Sequence, residues 1–331
     1  MKGTILITGA TGYIGSMLVK RILQDNDSEE AVAKLLLLVR DKQRAMQVFE
    51  TELRDAKAKV QFVECCLEDF DIGQIEIPVD YIIHCASVTT SSYMIFNPVE
   101  TADGIVLGTR NMLELARKQQ VRSMVYLSSM EVYGSVSDIG RPRSEEELGD
   151  IRLDNARSCY PLGKRMAEHY CHIYAKEYGV PVKVARLAQT FGTGVRPEDN
   201  RVYMQFARAA VEKKDIVLKT RGLSMGNYCA IEDAVSAIFT ILQKGMDGEA
   251  YNVVNEENTM CIRDMAQLVA EQVAGNSIQV KVELESAERT GYAPDTGLRL
   301  SGAKLRELGW QPTKDLVEMY RDVVVSLKEN K

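Results

Sequence analysis

Apolar residues in this chain follow two different spacings. Residues 4–7, 34–39, 60–63, 81–86, 124–127 and 182–185 are short apolar runs, mostly unbroken, between polar or glycine positions. Runs of this kind predict strands buried on both faces, as in a parallel sheet. Between them the spacing changes to three and four, as in Ile14, Leu18, Ile22 and Leu23, or Val106, Met112, Leu113 and Leu115. The spacing predicts helices after the first run, over 98–119, and over 157–178 with Gly179 as the stop; residues 41–56 are helical but weakly patterned. Strand–helix alternation predicts an α/β fold, a Rossmann-type doubly wound parallel sheet. Beyond Gln189 the alternation loosens, with helices expected at 203–211, 231–242, 262–273 and 316–327 and short strands at 216–219 and 251–254. The expected division is a sheet domain over 1–188, its sheet completed by segments near 227–250, and a smaller C-terminal α/β lobe over 189–331.

One stretch gives the sheet domain a task. Thr8 to Gly15 reads Thr-Gly-Ala-Thr-Gly-Tyr-Ile-Gly, directly after the first strand and opening the first helix. In that context Gly9 makes the tight turn, Gly12 lets backbone approach a pyrophosphate, and Gly15 lets the helix lie close on the strand. The helix N-terminus then faces the phosphates with unpaired N–H groups and a favourable dipole. The sheet domain is therefore expected to bind a dinucleotide.

Composition narrows the partners. The 331 residues are 45% apolar, enough for a sizeable core, and carry 41 basic against 47 acidic side chains, net −6. No basic surplus is available to neutralise a polynucleotide, so nucleic acid is not the expected partner. Seven cysteines are scattered without metal-ligand spacing and only three histidines occur, so no metal site is expected. No apolar run approaches a membrane span, and the first strand begins almost at Met1. The expectation is a cytoplasmic protein with no membrane partner.

Tyr160 and Lys164 lie four apart on a predicted helix and so share a face. A free tyrosine titrates near 10, and a neighbouring ammonium favours its phenolate. With Ser129 at the end of the fifth strand, this trio resembles that of the extended short-chain dehydrogenase/reductases, the group of nucleotide-sugar epimerases and dehydratases. The resemblance runs over nearly the whole chain. It is carried by Thr8–Gly15, His84-Cys85-Ala86-Ser87, Leu107-Gly108-Thr109-Arg110-Asn111, Ser128-Ser129-Met130-Glu131-Val132-Tyr133-Gly134, Tyr160-Pro161-Leu162-Gly163-Lys164, Arg186-Leu187-Ala188-Gln189-Thr190-Phe191-Gly192 and Leu308-Gly309-Trp310-Gln311-Pro312.

What the resemblance implies is transient oxidation of a nucleotide-diphosphate sugar. Tyr160 would take a hydroxyl proton while hydride passes to the nicotinamide, Lys164 would hold the ribose, and Ser129 would hydrogen-bond the reacting oxygen. Cofactor contacts would come from Gly9, Thr11, Gly12, Tyr13, Ile14, Gly15, Cys85, Ala86 and Ser87, besides Tyr160 and Lys164. Substrate contacts would come from Thr89, Ser129 and Gln189, with Arg196, Arg201 and Arg221 as candidate positive charges. Glu131, two after Ser129, resembles the glutamate that takes the C5 proton in 4,6-dehydratases; an exposed glutamate paired with a basic side chain is the alternative. Homodimers through the helices at 98–119 and 157–178 are implied as well.

The chain departs from the family pattern at Gly104, Cys66, Gln189 and Gly226, the last in place of an arginine expected to bind the diphosphate. Two other readings stay open, an NADPH-dependent carbonyl reductase of the same family and a non-catalytic dinucleotide sensor. The cofactor expected is NADP or NAD. Arg40 at the end of the second strand suits a 2′-phosphate, while Asp41 follows one position late.

Overall fold

A computed structural model describes residues 2–24, 34–54, 56, 58–136, 140–284 and 297–329. Asp55, inside the weakly patterned helical stretch, lies outside the described residues. The chain forms two compact units: Met1–Gly134 with Ile151–Arg186 and Val235–Tyr251, and Ser135–Asp150 with Leu187–Ala234 and Asn252–Lys331.

The first unit is built on a seven-stranded sheet. Its strands are β1 (Thr4–Thr8), β2 (Lys34–Val39), β3 (Lys59–Glu64), β4 (Tyr81–His84), β5 (Ser123–Ser129), β6 (Val182–Leu187) and, later in the chain, β10 (Ala250–Val253). Their order across the sheet is β10-β6-β5-β4-β1-β2-β3. β1 is parallel to both β2 and β4, and the order reverses between β1 and β4, where Thr8 stands level with His84. In open parallel sheets ligands bind at such a reversal, beyond the carboxyl ends of the strands.

The continuous apolar runs are explained by burial: Ile5, Leu6 and Ile7 in β1 and Leu35 to Val39 in β2 are all buried. Edge strand β3 (Lys-Val-Gln-Phe-Val-Glu) alternates in exposure instead. The connecting helices include α1 (Tyr13–Gln24), α2 (Lys42–Val48), α3 (Glu50–Arg54), α4 (Ser91–Phe96), α5 (Pro98–Gln119) and α6 (Cys159–Tyr178). α5 begins with Pro98 at its first turn, where the missing N–H costs nothing. α6 ends at Gly179, φ +66°, with Val180 N–H reaching back to the Tyr174 carbonyl at 3.2 Å. That is the glycine helix stop legible in the sequence. Buried α5 and α6 residues, among them Met112, Leu113, Ala167 and Cys171, pack into one core with Leu6, Ile82 and Met124.

The second unit holds a three-stranded sheet in the order β11-β9-β7, made of β7 (Gln189–Phe191), β9 (Met225–Ala230) and β11 (Asn255–Cys261). A parallel pair joins β8 (Ile216–Leu218) to β12 (Val280–Val282). β7, β9, β11 and β12 are beyond what the apolar pattern predicts. The expected helix 262–273 is an α-helix only over Ile262–Leu268 and continues as a π turn over Val269–Val273. Phe191 is the hub of the core: Tyr203 stacks on it at 4.4 Å, and Tyr228 and Tyr320 meet it edge-on at 5.8 and 5.2 Å. Asp233 ties down the Trp310 segment, accepting from Thr313 N–H at 2.9 Å and Thr313 Oγ1 at 2.7 Å.

Candidate active site

The glycine turn packs as tightly as its sequence implies. Gly9 has φ +65°, and a β-carbon there would stand 2.7 Å from the Ala86 nitrogen, at the end of β4. A β-carbon on Gly15 would stand 2.2 Å from the Gly9 carbonyl oxygen. The turn closes with Gly12 N–H donating to that same oxygen at 2.9 Å, and α1 begins at Tyr13. Backbone with no side chain in the way, ahead of a helix N-terminus, fits the pyrophosphate of a dinucleotide.

Beneath the turn lies a buried histidine. Thr109 Oγ1 donates to the Ile105 carbonyl at 2.6 Å, so its oxygen accepts from His84 Nε2–H at 3.2 Å. His84 Nδ1 is then an acceptor, taking the Thr8 hydroxyl at 2.7 Å, while Thr8 Oγ1 takes the Ala86 N–H at 3.1 Å. Burial lowers the His84 pKa to about 3, with the charge of Lys164 adding to it. The imidazole is thus a neutral brace across β1, β4 and α5.

Tyr160, Lys164, Ser129 and Glu131 all belong to the first unit, at the carboxyl end of β5 and the first turns of α6. Lys164 is 2% exposed; its Nζ donates to the Leu127 carbonyl at 2.7 Å and stands 4.7 Å from the centre of the Tyr126 ring and 5.7 Å from that of Tyr160. Burial lowers its pKa to about 8, against the opposing charge of Glu168. Ser129, half-buried and extended (φ −144°, ψ 151°), ends β5 and accepts the Glu131 N–H at 3.2 Å. The serine hydroxyl keeps its proton free to donate elsewhere.

A residue without a place in the sequence motifs joins them. The Arg157 guanidinium pairs with Glu131 at 3.0 Å and lies 5.5 Å from the Tyr160 ring centre. Its Nε reaches the Ser91 hydroxyl at 3.4 Å. The only sequence cue was an arginine three before Tyr160.

A second buried set fixes the platform. Arg186 forks onto Glu168 at 2.7 and 3.0 Å and donates to the Tyr133 hydroxyl at 3.1 Å; Ser128 Oγ also bonds Glu168. Glu168 lies one turn beyond Lys164, so β5, β6 and α6 share one ion pair. Removing one partner of such a buried pair leaves an uncompensated charge, at a typical cost of about 3–5 kcal/mol.

The other candidates are placed as follows. Arg40 is exposed at the end of β2, whereas Asp41 caps α2, accepting the Arg44 N–H at 2.9 Å. Cys85, Ala86 and Ser87 follow β4, with burial pushing the Cys85 thiol up to about 12, and Thr89, after Val88, is exposed. Gln189, Arg196, Arg201 and Arg221 belong to the second unit. Arg201 is engaged there, bonding Asp199 at 3.0 Å and lying 4.9 Å from the Tyr203 ring centre. Arg196 and Arg221 are exposed. At Gly226, a β-carbon would lie 2.1 Å from the Tyr228 hydroxyl oxygen.

A sequence model of the NAD dependent epimerase/dehydratase family matches residues 5–254. The chain belongs to this family. UDP-glucuronic acid decarboxylase 3 of Arabidopsis thaliana is 30% identical over 317 residues, covering 95% of this chain and 86% of its own. UDP-glucuronic acid decarboxylase 1 of Danio rerio is 29% identical, covering 95% of this chain and 70% of its own. Among solved structures, UDP-glucose 4-epimerase of Thermotoga maritima with UDP-glucose superposes with a TM-score of 0.79 at 21% identity, covering 99% of each chain. The dTDP-glucose 4,6-dehydratase of Bacillus anthracis in complex with NAD gives 0.78 at 23% identity, covering 99% of this chain and 97% of that one. The Rossmann fold is common to the set, and a dinucleotide-dependent enzyme is what the family implies. Among the described residues no helix is long and apolar enough to cross a membrane.

Proposed function

We propose that this protein is an epimerase or dehydratase of nucleotide-diphosphate sugars that works by transient oxidation at one sugar carbon. The observation that carries the reading is the buried Lys164 ammonium, 5.7 Å from the Tyr160 ring centre and bonded to the Leu127 carbonyl of β5, the strand that ends at Ser129. The decarboxylase relatives support the nucleotide-sugar class, because their UDP-glucuronic acid is itself a nucleotide sugar.

Tyr160, as phenolate, would take the proton of a sugar hydroxyl, and Ser129 would donate to the same oxygen. The bound nicotinamide, when present, supplies the hydride acceptor and later the donor. Lys164 would hold the ribose with the protons left over from Leu127 and favour the phenolate through its charge. Glu131 would take the proton next to the transient ketone, a step that needs a carboxylate near the reacting carbon. The first unit is assigned to the dinucleotide, through the turn from Gly9 to Gly15 and the Cys85–Ser87 segment. The second unit is assigned mainly to the substrate, with Gln189, Arg196, Arg201 and Arg221 as contacts and Thr89 added from the first.

NADP is the preferred cofactor in this reading, because Arg40 is exposed at the end of β2 while Asp41 is occupied as a helix cap. A homodimer through α5 and α6 is supported by apolar side chains left exposed there, Val99, Leu107 and Met166, with Phe96 just before them. A cytoplasmic setting agrees with seven cysteines that are all free thiols.

The test is mass spectrometry of products across UDP-, dTDP-, GDP- and CDP-sugars, with UDP-glucuronic acid included. The expected result is an altered sugar with no net consumption of NAD(P)H. Stoichiometric consumption of NADPH on a simple ketone would favour the reductase instead, and cofactor binding with no chemistry would favour the sensor.

A further inference from the structure

Two cations, not one, flank Tyr160. Lys164 approaches from one turn further along α6, with Nζ 5.7 Å from the ring centre. Arg157 approaches from the turn that precedes α6, with its guanidinium carbon 5.5 Å from the same centre. The second cation is held in place. Glu131 binds it at 3.0 Å, the Arg157 N–H is fixed by the Asn155 side chain at 3.0 Å, and Nε lies 3.4 Å from Ser91 Oγ. Arg157 is thus tied to two of the groups assigned to proton transfer.

We propose that Arg157 is a positioning residue of this site, a permanent cation that favours the Tyr160 phenolate and fixes the Glu131 carboxylate next to it. The two cations differ in kind. Burial brings the Lys164 ammonium into titration range at about 8, so its charge fades at mildly alkaline pH. A guanidinium keeps its charge throughout. The other titratable groups facing this cluster are Tyr126 on β5, Cys159, Glu168 and Cys171 on α6, His84 on β4, kept neutral by burial, and Cys85 after β4. None of these adds a positive charge.

The proposal rests on Tyr160 being the proton-transfer group, so its test is made without substrate. The Tyr160 phenolate is titrated by near-ultraviolet absorbance, as the difference between each protein and its Tyr160→Phe counterpart. Arg157→Gln, which keeps length but removes charge, should raise the Tyr160 midpoint by about one pH unit, about tenfold less phenolate at any pH well below it. Arg157→Lys, which keeps the charge, should hold the midpoint near that of the parent and covers the case in which the Gln variant fails to fold. A midpoint unmoved by Arg157→Gln would overturn the proposal. So would an equal rise in Arg157→Lys, because the effect would then come from lost packing rather than charge. A chain that altered no nucleotide sugar would sink the functional reading and leave this titration decisive.

Discussion

The Tyr228 side chain occupies the space that a side chain on Gly226 would need: a β-carbon there would lie 2.1 Å from its hydroxyl oxygen and 2.4 Å from Cζ. The two residues are on one face of β9, two apart, and the tyrosine ring lies along the strand over the glycine. Tyr228 is fully buried, and its hydroxyl finds no hydrogen-bond partner among the described residues. An arginine at 226, where the family pattern places one, would require the Tyr228 ring to move.

This pair predicts opposite responses. Gly226→Ala overpacks the strand and should lower stability by about 1–3 kcal/mol. Tyr228→Phe removes a buried hydroxyl that lacks a partner and should be neutral or stabilising, by up to about 1 kcal/mol. Urea unfolding of both variants checks the signs; a Tyr228→Phe protein well below its parent in stability would mean that the hydroxyl is bonded.

His84 predicts acid sensitivity. Its ordinary pKa of 6.5 falls to about 3 in the fold, so the folded form stays neutral where the unfolded form binds a proton. The contribution is present above 6.5 and is lost as pH falls toward 3, at about 1.4 kcal/mol per pH unit. His84→Asn should be less stable at neutral pH, having lost the Thr8 and Thr109 bonds, yet show a flatter decline on acidification. Equal slopes for parent and variant would contradict a neutral buried imidazole.

The proposed NADP preference rests on Arg40. Arg40→Asp should weaken NADP more than NAD, read by calorimetric titration of each. Equal affinity of the parent for both cofactors would remove the argument, and NAD preference in the parent would return the ribose contact to a rotated Asp41.

The role proposed for Glu131 separates epimerisation from dehydration-type chemistry. In deuterated water the parent should place deuterium on product carbons next to the transient ketone. Glu131→Gln should stop that incorporation while cofactor reduction continues. Normal turnover by the Gln variant would leave Glu131 as the ion-pair partner of Arg157 and nothing more.

Elements are legible in the sequence where composition and position agree. β1 followed by Gly9, Gly12 and Gly15, and Tyr160 four before Lys164, are local patterns that the fold keeps. The expected strands near 216 and 251 are present as β8 and β10, whereas β9 and β11 were hidden for a physical reason. β9 is Met-Gly-Asn-Tyr-Cys-Ala and β11 is Asn-Glu-Glu-Asn-Thr-Met-Cys, with no apolar period to read. Their asparagines are buried because they bond across the unit: Asn227 donates to the Leu298 carbonyl at 2.9 Å, and Asn258 to that of Lys314 at 3.1 Å. Such burial depends on distant partners that no local window contains. Arg157 was hidden similarly, since a lone arginine gains meaning only when Glu131 and the Tyr160 ring are brought to it.

Tyr160 and Lys164 are the pair assigned to the proton transfer that accompanies sugar oxidation, and the nicotinamide itself reports on that step. Parent protein loaded with dinucleotide and mixed with its nucleotide sugar in a stopped-flow cell should show reduced-nicotinamide absorbance that rises and then decays, with none left at the end. Tyr160→Phe should bind the dinucleotide as the parent does and lose this signal, slowed by a factor of about 100 to 10,000. A Phe variant that reduces its cofactor at the parent's rate would rule out Tyr160 as the proton acceptor.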